Sequence, residues 1–299
     1  MKINSKFLTK SYYERKFYAK FGAIFPNATF WYNARMYYYY RTGKRLDYRH
    51  PKDINEKLMW LSRYWQHPLK TQCADKYLVR DYIKGLGYEC ILVPLIGVWD
   101  NVNEINFSNL PNQFVLKCNH GSGFNIICLD KSRLNESDAR TKLNSWLSTD
   151  YSKLSYEVHY HDIPRKIICE ELLCTVAPIE YQFWCLNNEI DSVLVCRKNY
   201  DGTYDAASYS TDWKRLYDRI NEEQNIVDFQ KPTCWNELIQ VAKDLSKPFP
   251  FVRADFYVVD DRIYFAELTF TPAANILHAY KEDFLIRLGK KLNLPKKYK

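Results

Sequence analysis

"FVLKCNHGSGFNIIC", residues 114–128, sets two apolar runs on either side of a histidine and two glycines. Short runs of Phe, Val, Ile and Leu bounded by Gly and Asn predict two β-strands joined by a turn. The turn is not a Walker A loop, because G-x-x-x-x-G-K-[ST] is absent, and not a dinucleotide fingerprint, because no helix follows it. Gly121 and Gly123 tolerate the backbone conformations in which successive N–H groups ring an anion. Lys117, at the end of the first run, adds a full positive charge. The same residues also make an ordinary glycine hairpin, so the surroundings must decide between a turn and a phosphate cradle.

Those surroundings are globular. With 299 residues, 46% hydrophobic and 26% charged, the chain is long enough to bury a core and unlike collagen or a disordered segment. Its charge of +8 is unevenly placed: residues 1–50 hold eleven Lys or Arg against Glu14 and Asp47, which leaves −1 for the remainder. This basic arm, interleaved with aromatics ("RKFYAKF", "RMYYYYR"), could meet an anionic surface or serve as a solvated helical cap. The near-neutral body carries no recognised nucleic-acid module, and no nucleic-acid partner is expected. The nine cysteines form no C-x-x-C pair and sit mostly in apolar runs, as reduced thiols in a cytoplasmic protein do. No signal-peptide pattern opens the chain, and "CILVPLIGVW" is too short to span a bilayer.

Helices and strands alternate along the body. "DINEKLMWLSRY" predicts a helix with Asp53 and Glu56 as a capping box, and "CADKYLVRDYIKGLG" continues the helical pattern through Ile83 to Gly85 and Gly87. "ILVPLIGVW" reads as a buried extended segment, "NESDARTKLNSWL" as a helix opened by Asn135 or Ser137, and "RKIICEELL" as a strand. "YQFWCLNNEIDSVLVCR" is a hairpin turned at Asn187-Asn188, "CWNELIQVAKDLSK" a helix, "VRADFYVVDDRIYFAEL" a hairpin turned near Asp260-Asp261, and "YKEDFLIRLGKKL" a last helix. The fold class is therefore α+β.

Two further features complement the glycine turn. Asp255 and Glu267 are twelve residues apart across the last hairpin. An odd-length connection would put both on one sheet face, whereas a strict two-residue turn would put them on opposite faces. On one face they would suit Mg²⁺, a hard ion that takes one or two carboxylates; otherwise they are ordinary hairpin residues. Glu170 and Glu171 end the strand of "IICEELL", an edge that can present backbone groups to a flat heterocycle or simply two solvated carboxylates.

The order and spacing of "DKYLVR", "FVLKCNHGSGFN", "IICEELL", "IEYQFWCLNNE", "VRADFY" and "YFAELTFTP" resemble an ATP-grasp enzyme. More closely, over about residues 50 to 285, they are similar to the teichuronopeptide-biosynthesis (TupA-like) ATP-grasp family of surface-polysaccharide pathways. The resemblance implies two α+β subdomains clasping ATP after a mostly helical N-terminal region. The divisions are an arm (1–50), a helical pre-grasp region (51–110), a lid subdomain (111–172) and a nucleotide- and metal-binding subdomain (173–299). It implies that Arg80 and Lys117 meet phosphate, that His120, Gly121, Ser122, Gly123 and Asn125 belong to the lid, and that Glu170, Glu171 and Leu173 form the adenine hinge. Glu180 falls at the ribose position and Gln182 where related sequences often carry lysine. Asp255, Glu267 and Thr269 match the Mg²⁺ positions, with Thr269 in place of the usual asparagine, and Arg253 and Arg197 are candidates for phosphate, acyl-phosphate or substrate-carboxylate contacts. Phe124 is a bulky residue inside the lid that would narrow or cover the site.

The implied activity is an ADP-forming carboxylate–amine ligase using ATP and Mg²⁺, attaching an amino acid or amino sugar to an acidic sugar or glycan acceptor. The basic arm would contact that glycan, polysaccharide assembly proteins or the inner membrane face. Two other readings stand beside it: a glycosyltransferase-like enzyme using a nucleotide sugar, and a nucleotide-binding protein without turnover. "HYH", residues 159–161, could point to a metal but lacks a cluster to complete a site, so it reads as two surface histidines.

Overall fold

The structure is a computed structural model that describes residues 26–198, 204–220 and 227–298. The first half of the basic arm, residues 1–25, lies outside the described residues. The chain divides into two compact units, Met1–Arg49 and His50–Lys299. In the first, helix α1 spans Pro26–Thr42, and Thr42 turns its hydroxyl back onto the Tyr38 carbonyl at 2.8 Å.

The second unit opens with α2, Ile54–Tyr64. Asp53 caps it by accepting from the Glu56 N–H at 2.9 Å, and Glu56 reaches back to the Lys52 N–H, so the capping box is formed one residue wide of the ideal. The helical pattern that follows does not run unbroken. It splits into α3, Pro68–Ala74, and α4, Val79–Gly85, because the Asp75 carboxylate accepts from the N–H groups of Tyr77 and Leu78 and competes with the helix ladder.

Strand β1, Leu95–Trp99, is half-buried along its length rather than buried as its apolar run suggested, because it forms an edge. With β2 (Phe114–Cys118), β3 (Asn125–Cys128) and β4 (Ile167–Glu171) it makes an antiparallel four-stranded sheet in the order β1-β4-β2-β3. Helix α5, Glu136–Ser148, is capped by Asn135 and lays Ala139 and Leu143 on one face of that sheet, against Phe114, Leu116 and Cys118. A single short turn of helix, α6, follows at Ser152–Ser155. The other sheet face, carrying Val115, Lys117 and Glu170, stays open.

The remaining strands are β5 (Ile179–Leu186), β6 (Glu189–Lys198), β7 (Tyr204–Tyr209), β8 (Arg215–Leu216), β9 (Phe251–Val259) and β10 (Arg262–Thr269). They form a six-stranded antiparallel sheet, β10-β9-β5-β6-β7-β8. Helix α7, Trp235–Ser246, covers one face, with the Trp235 ring stacked 5.5 Å from Phe183. Helix α8, Glu282–Lys291, closes one end of the opposite face through Phe284 against Trp184 at 5.6 Å. Each large apolar side chain buried in this way contributes about 1.5–3 kcal/mol. All nine cysteines are free thiols, six of them buried. Among the described residues no helix is long and apolar enough to cross a membrane.

Candidate active site

Register decides which side chains of the six-stranded sheet share a face. The β9–β10 turn is the strict two-residue kind, Asp260-Asp261, both left-handed (φ 50° and 59°), which short polar side chains tolerate. That turn alone would leave Ala266 opposite Asp255. A β-bulge between Phe265 and Glu267 takes up Ala266 as an extra residue, so Glu267 stands directly across from Asp255 and Thr269 across from Arg253. The two carboxylates therefore share a face by means of a bulge, not an odd-length loop.

The β5–β6 hairpin uses the same device, with Asn187 and Asn188 left-handed in a two-residue turn and a bulge that takes up Asp191. Past the bulge, Gln182 opposes Leu194 and Glu180 opposes Cys196. On β9, Gln182 opposes Asp255 and Glu180 opposes Tyr257. The site face thus carries Glu180, Gln182, Arg253, Asp255, Glu267, Thr269 and, two residues beyond Cys196, Lys198. Arg197 is turned to the other face, where its charge acts on Tyr181. Without the one-residue slip at Asp191 it would have faced the carboxylates, and the cation that does so is Lys198, which sequence reading missed.

The carboxylate block is tightly bonded. Asp255 is fully buried; Arg253 donates to it through Nε at 2.8 Å and through a terminal guanidinium nitrogen at 2.6 Å. Thr269 donates its hydroxyl to Glu267 at 2.7 Å and lies 3.2 Å from Asp255. Like charges directly across a strand pair repel, and Arg253 between them offsets that cost. Burial pushes the Asp255 carboxyl up, to about 7, and the Arg253 guanidinium pulls against it. The bidentate contact favours the ionised form of that pair. Burial also acts on Glu267, but the Lys76 ammonium, Arg253 and the Thr269 hydroxyl outweigh it and hold its pKa below the usual carboxylate range. Among the described residues no group of three or more His, Cys, Asp and Glu gathers for a metal. Two carboxylates, each within hydrogen-bond distance of the Thr269 hydroxyl, are instead the hard-oxygen set that Mg²⁺ accepts, with the rest of its shell left to water and phosphate, so the residues fit that ion.

The four-stranded sheet supplies cations and a cleft. Lys117 bonds Glu170 at 2.5 Å, and Arg80 reaches the same carboxylate at 3.4 Å. Glu170, expected at the adenine hinge, is therefore the shared counter-ion of both phosphate candidates. Lys117, Asn125, Glu170, Glu171 and Leu173 line a cleft of about 520 Å³, partly open to solvent, with Tyr257 of the six-stranded sheet. The Glu171 N–H is taken by the Pro94 carbonyl, so that part of the hinge offers its carbonyl side.

The glycine turn is a loop of mixed character. Gly121 and Gly123 are left-handed, with φ of 90° and 78°. A Cβ on Gly121 would stand 2.4 Å from the Tyr151 ring, so glycine is required there for close approach as well as for conformation. Ser122, Gly123 and Asn125 are exposed, whereas His120 is buried with Nε2 3.1 Å from the Trp146 carbonyl and serves as an anchor. Phe124 does not cover the site: its ring stacks on Trp146 at 5.4 Å on the α5 side of the sheet.

Sequence reading also missed Lys76 and Asn119. Lys76 donates to the Gly121 carbonyl at 2.5 Å, and burial lowers its pKa against the opposing pull of Glu267. Buried Asn119 donates to Asp75 at 2.9 Å and accepts from the Lys76 N–H, tying the helix break to the base of the loop. The signal was "DK" at the break, where Asp75 ends one helix and sets Lys76 toward the carboxylates.

Two antiparallel sheets that present a cation-lined loop, a strand-end cleft and a carboxylate pair define an ATP-grasp protein. The chain belongs to the TupA-like ATP-grasp family, whose model matches residues 56–293. Among solved structures it is similar to D-alanine–D-alanine ligase from Bacillus anthracis, at 17% identity and TM-score 0.40, over 73% of this chain and 67% of that one. The corresponding enzyme from Helicobacter pylori gives 16% identity and TM-score 0.41, over 74% and 61%. An L-amino acid ligase from Bacillus licheniformis gives 12% and 0.48, over 81% and 56%. The chain thus spans about three fifths of the last two enzymes. No curated protein sequence matches the chain.

Proposed function

We propose that the protein is an ADP-forming, ATP-dependent carboxylate–amine ligase that attaches an amino acid or amino sugar to an acidic sugar in surface or capsular polysaccharide biosynthesis. The observation that carries this reading is the Arg253, Asp255, Glu267 and Thr269 block on the face that also presents Glu180 and Lys198. A carboxylate is a poor electrophile; phosphorylating it with ATP creates a good leaving group, and attack by an amine then gives the amide, ADP and phosphate.

Lys117, Arg80 and Lys76 would meet the phosphates, and Glu170 holds the first two in place. The amides of Gly121, Ser122 and Gly123 would close over them, with the loop anchored through His120 and Phe124. Glu171 and Leu173 would bound the adenine, and Glu180, buried beside Lys198 at 3.5 Å, would accept from the ribose. Asp255, Glu267 and Thr269 would hold Mg²⁺, which when bound offsets the charge of the transferring phosphoryl group. Arg253 would orient the acid. The acidic-sugar acceptor and the pathway rest on the motif resemblance, and the basic arm would hold the protein to an anionic glycan or to the inner membrane face.

The test is a trapping assay with ATP, Mg²⁺, a panel of uronic acids and hydroxylamine as the amine. ADP and a sugar hydroxamate, each dependent on the acid, are the expected products. AMP, or ADP release indifferent to every acid, would reject the ligase. Thermal stabilisation by a UDP-sugar and none by ATP with Mg²⁺ would favour the nucleotide-sugar enzyme instead.

A further inference from the structure

Helix α1 is aromatic on both of its sides. One side turns Ala34 and Tyr38 inward, a helical turn apart and both buried. On the opposite side Tyr32, Arg35 and Tyr39 follow at i, i+3 and i+7, with Tyr40 beside them. Tyr32, Tyr39 and Tyr40 are 41%, 45% and 52% exposed. The Tyr39 and Tyr40 rings lie 6.0 Å apart, and the Arg35 guanidinium rests 5.2 Å from the Tyr48 ring, which steadies that charge beside the tyrosines. The outward side of a surface helix ordinarily carries charged and polar residues. One that presents three large rings marks a face that a partner covers.

Charge narrows that partner. Helix α1 contains no Asp or Glu. From residue 26 to residue 49 the chain carries Arg35, Arg41, Lys44, Arg45 and Arg49 against Asp47 alone, five cations to one anion and a net +4. All five cations are exposed. A second copy docked by a two-fold axis through this face would set Arg35 and its neighbours against themselves, so the complementary surface is anionic. The tyrosines then choose among anionic surfaces. A tyrosine has an apolar ring and a polar tip and settles at the headgroup level of a bilayer, while Arg and Lys reach from the same helix to lipid phosphates. Tyr32 and Tyr39 stand about 10 Å apart along the helix axis, a flat row that a bilayer surface engages all at once. With 17 residues and two arginines, α1 is built to lie on a membrane and not to cross it.

We propose that α1 docks flat on an anionic bilayer, with Tyr32, Tyr39 and Tyr40 at the headgroup level and with Arg35 and, past the end of the helix, Lys44 and Arg45 on lipid phosphates. This contact rests on the part given to the basic arm in the proposed function, names lipid as its partner, and stands apart from ATP use. The test is co-sedimentation of the full chain with vesicles of phosphatidylcholine, with and without phosphatidylglycerol, at low and high salt. It compares the wild type with a variant carrying Tyr32→Ser, Tyr39→Ser and Tyr40→Ser and with one carrying Arg35→Gln, Lys44→Gln and Arg45→Gln. The serine variant keeps every charge, and serine has about the helix propensity of tyrosine. Phosphatidylglycerol should tighten wild-type binding at least about tenfold at low salt, and salt should reverse the gain. Each variant should lose at least about tenfold in affinity for the anionic vesicles, with affinity for a non-hydrolysable ATP analogue unchanged. Vesicle binding undiminished in the serine variant would overturn the proposal, as would a wild type that ignores phosphatidylglycerol. Binding of that wild type to soluble polygalacturonate would then name a glycan as the partner. Failure of the wild type to bind the ATP analogue would strike the ligase reading and leave the lipid contact as it stands.

Discussion

The β5–β6 and β9–β10 hairpins of the large sheet are built alike and end differently. Each turns on two left-handed residues, Asn187-Asn188 or Asp260-Asp261, and each then takes up one extra residue in a bulge. In β10 the slip turns Glu267 toward Asp255; in β6 it turns Arg197 away and Lys198 inward. A one-residue change of register reverses every side chain beyond it, so in this sheet bulges choose the chemistry as much as residue types do. The extra residues differ as well. Ala266 is a small filler, while the Asp191 side chain bonds Arg287 at 3.0 Å and Lys291 at 2.5 Å, fastening its hairpin to α8.

Four substitutions test this contrast. The largest effect falls on the β10 side: Glu267→Gln should lower ATP turnover about 100- to 1000-fold, as loss of one preorganised charged group does, while leaving thermal unfolding near wild type. Near-normal turnover would detach the bulge from catalysis.

Next is Asp191→Asn, which should cost about 1–3 kcal/mol at pH 7 by leaving Arg287 and Lys291 short of a partner. Burial raises the Asp191 pKa, but Lys291 and Arg287 outweigh it and set the net value below that of an unfolded aspartate. Its stabilisation is therefore full above about pH 4 and is lost as pH falls through the folded pKa. Urea melts of both proteins should converge in acid; a gap that persists at low pH would assign the effect to packing. The smallest effect separates neighbours on β6: Lys198→Met should raise the KM for ATP several-fold, up to about tenfold, and Arg197→Met should change it less than about twofold. The reverse ranking would mean that the slip at Asp191 does not hold in solution.

Local chemistry made much of the fold legible in advance. Asp53 announced the start of its helix, Asn135 was one of two candidates for the start of another and is the cap, and the Asn-Asn and Asp-Asp pairs announced their turns. The ATP-grasp class was legible from the order of the motifs, because that order carries long-range information no single motif holds. What sequence could not convey was register and tertiary bonding. A bulge leaves no mark in residue type, so the parity between Asp255 and Glu267 stayed open and Arg197 was counted as facing the site. The break at Asp75 is tied to Asn119, forty-four positions away, and Lys76 is held by the Asn119 and Gly121 carbonyls, contacts distant in sequence. His159 looked exposed in a polar stretch because nothing nearby in sequence shows that Phe270 covers it.

The bulged β9–β10 hairpin is proposed to form a metal-dependent ATP site. Calorimetric titration of a non-hydrolysable ATP analogue, with and without Mg²⁺, into the wild type and Glu267→Gln tests it most directly. Mg²⁺ should tighten binding to the wild type at least about tenfold, and this gain should vanish in Glu267→Gln. Equal tightening in both proteins, or none in the wild type, would show that Glu267 does not hold the ion.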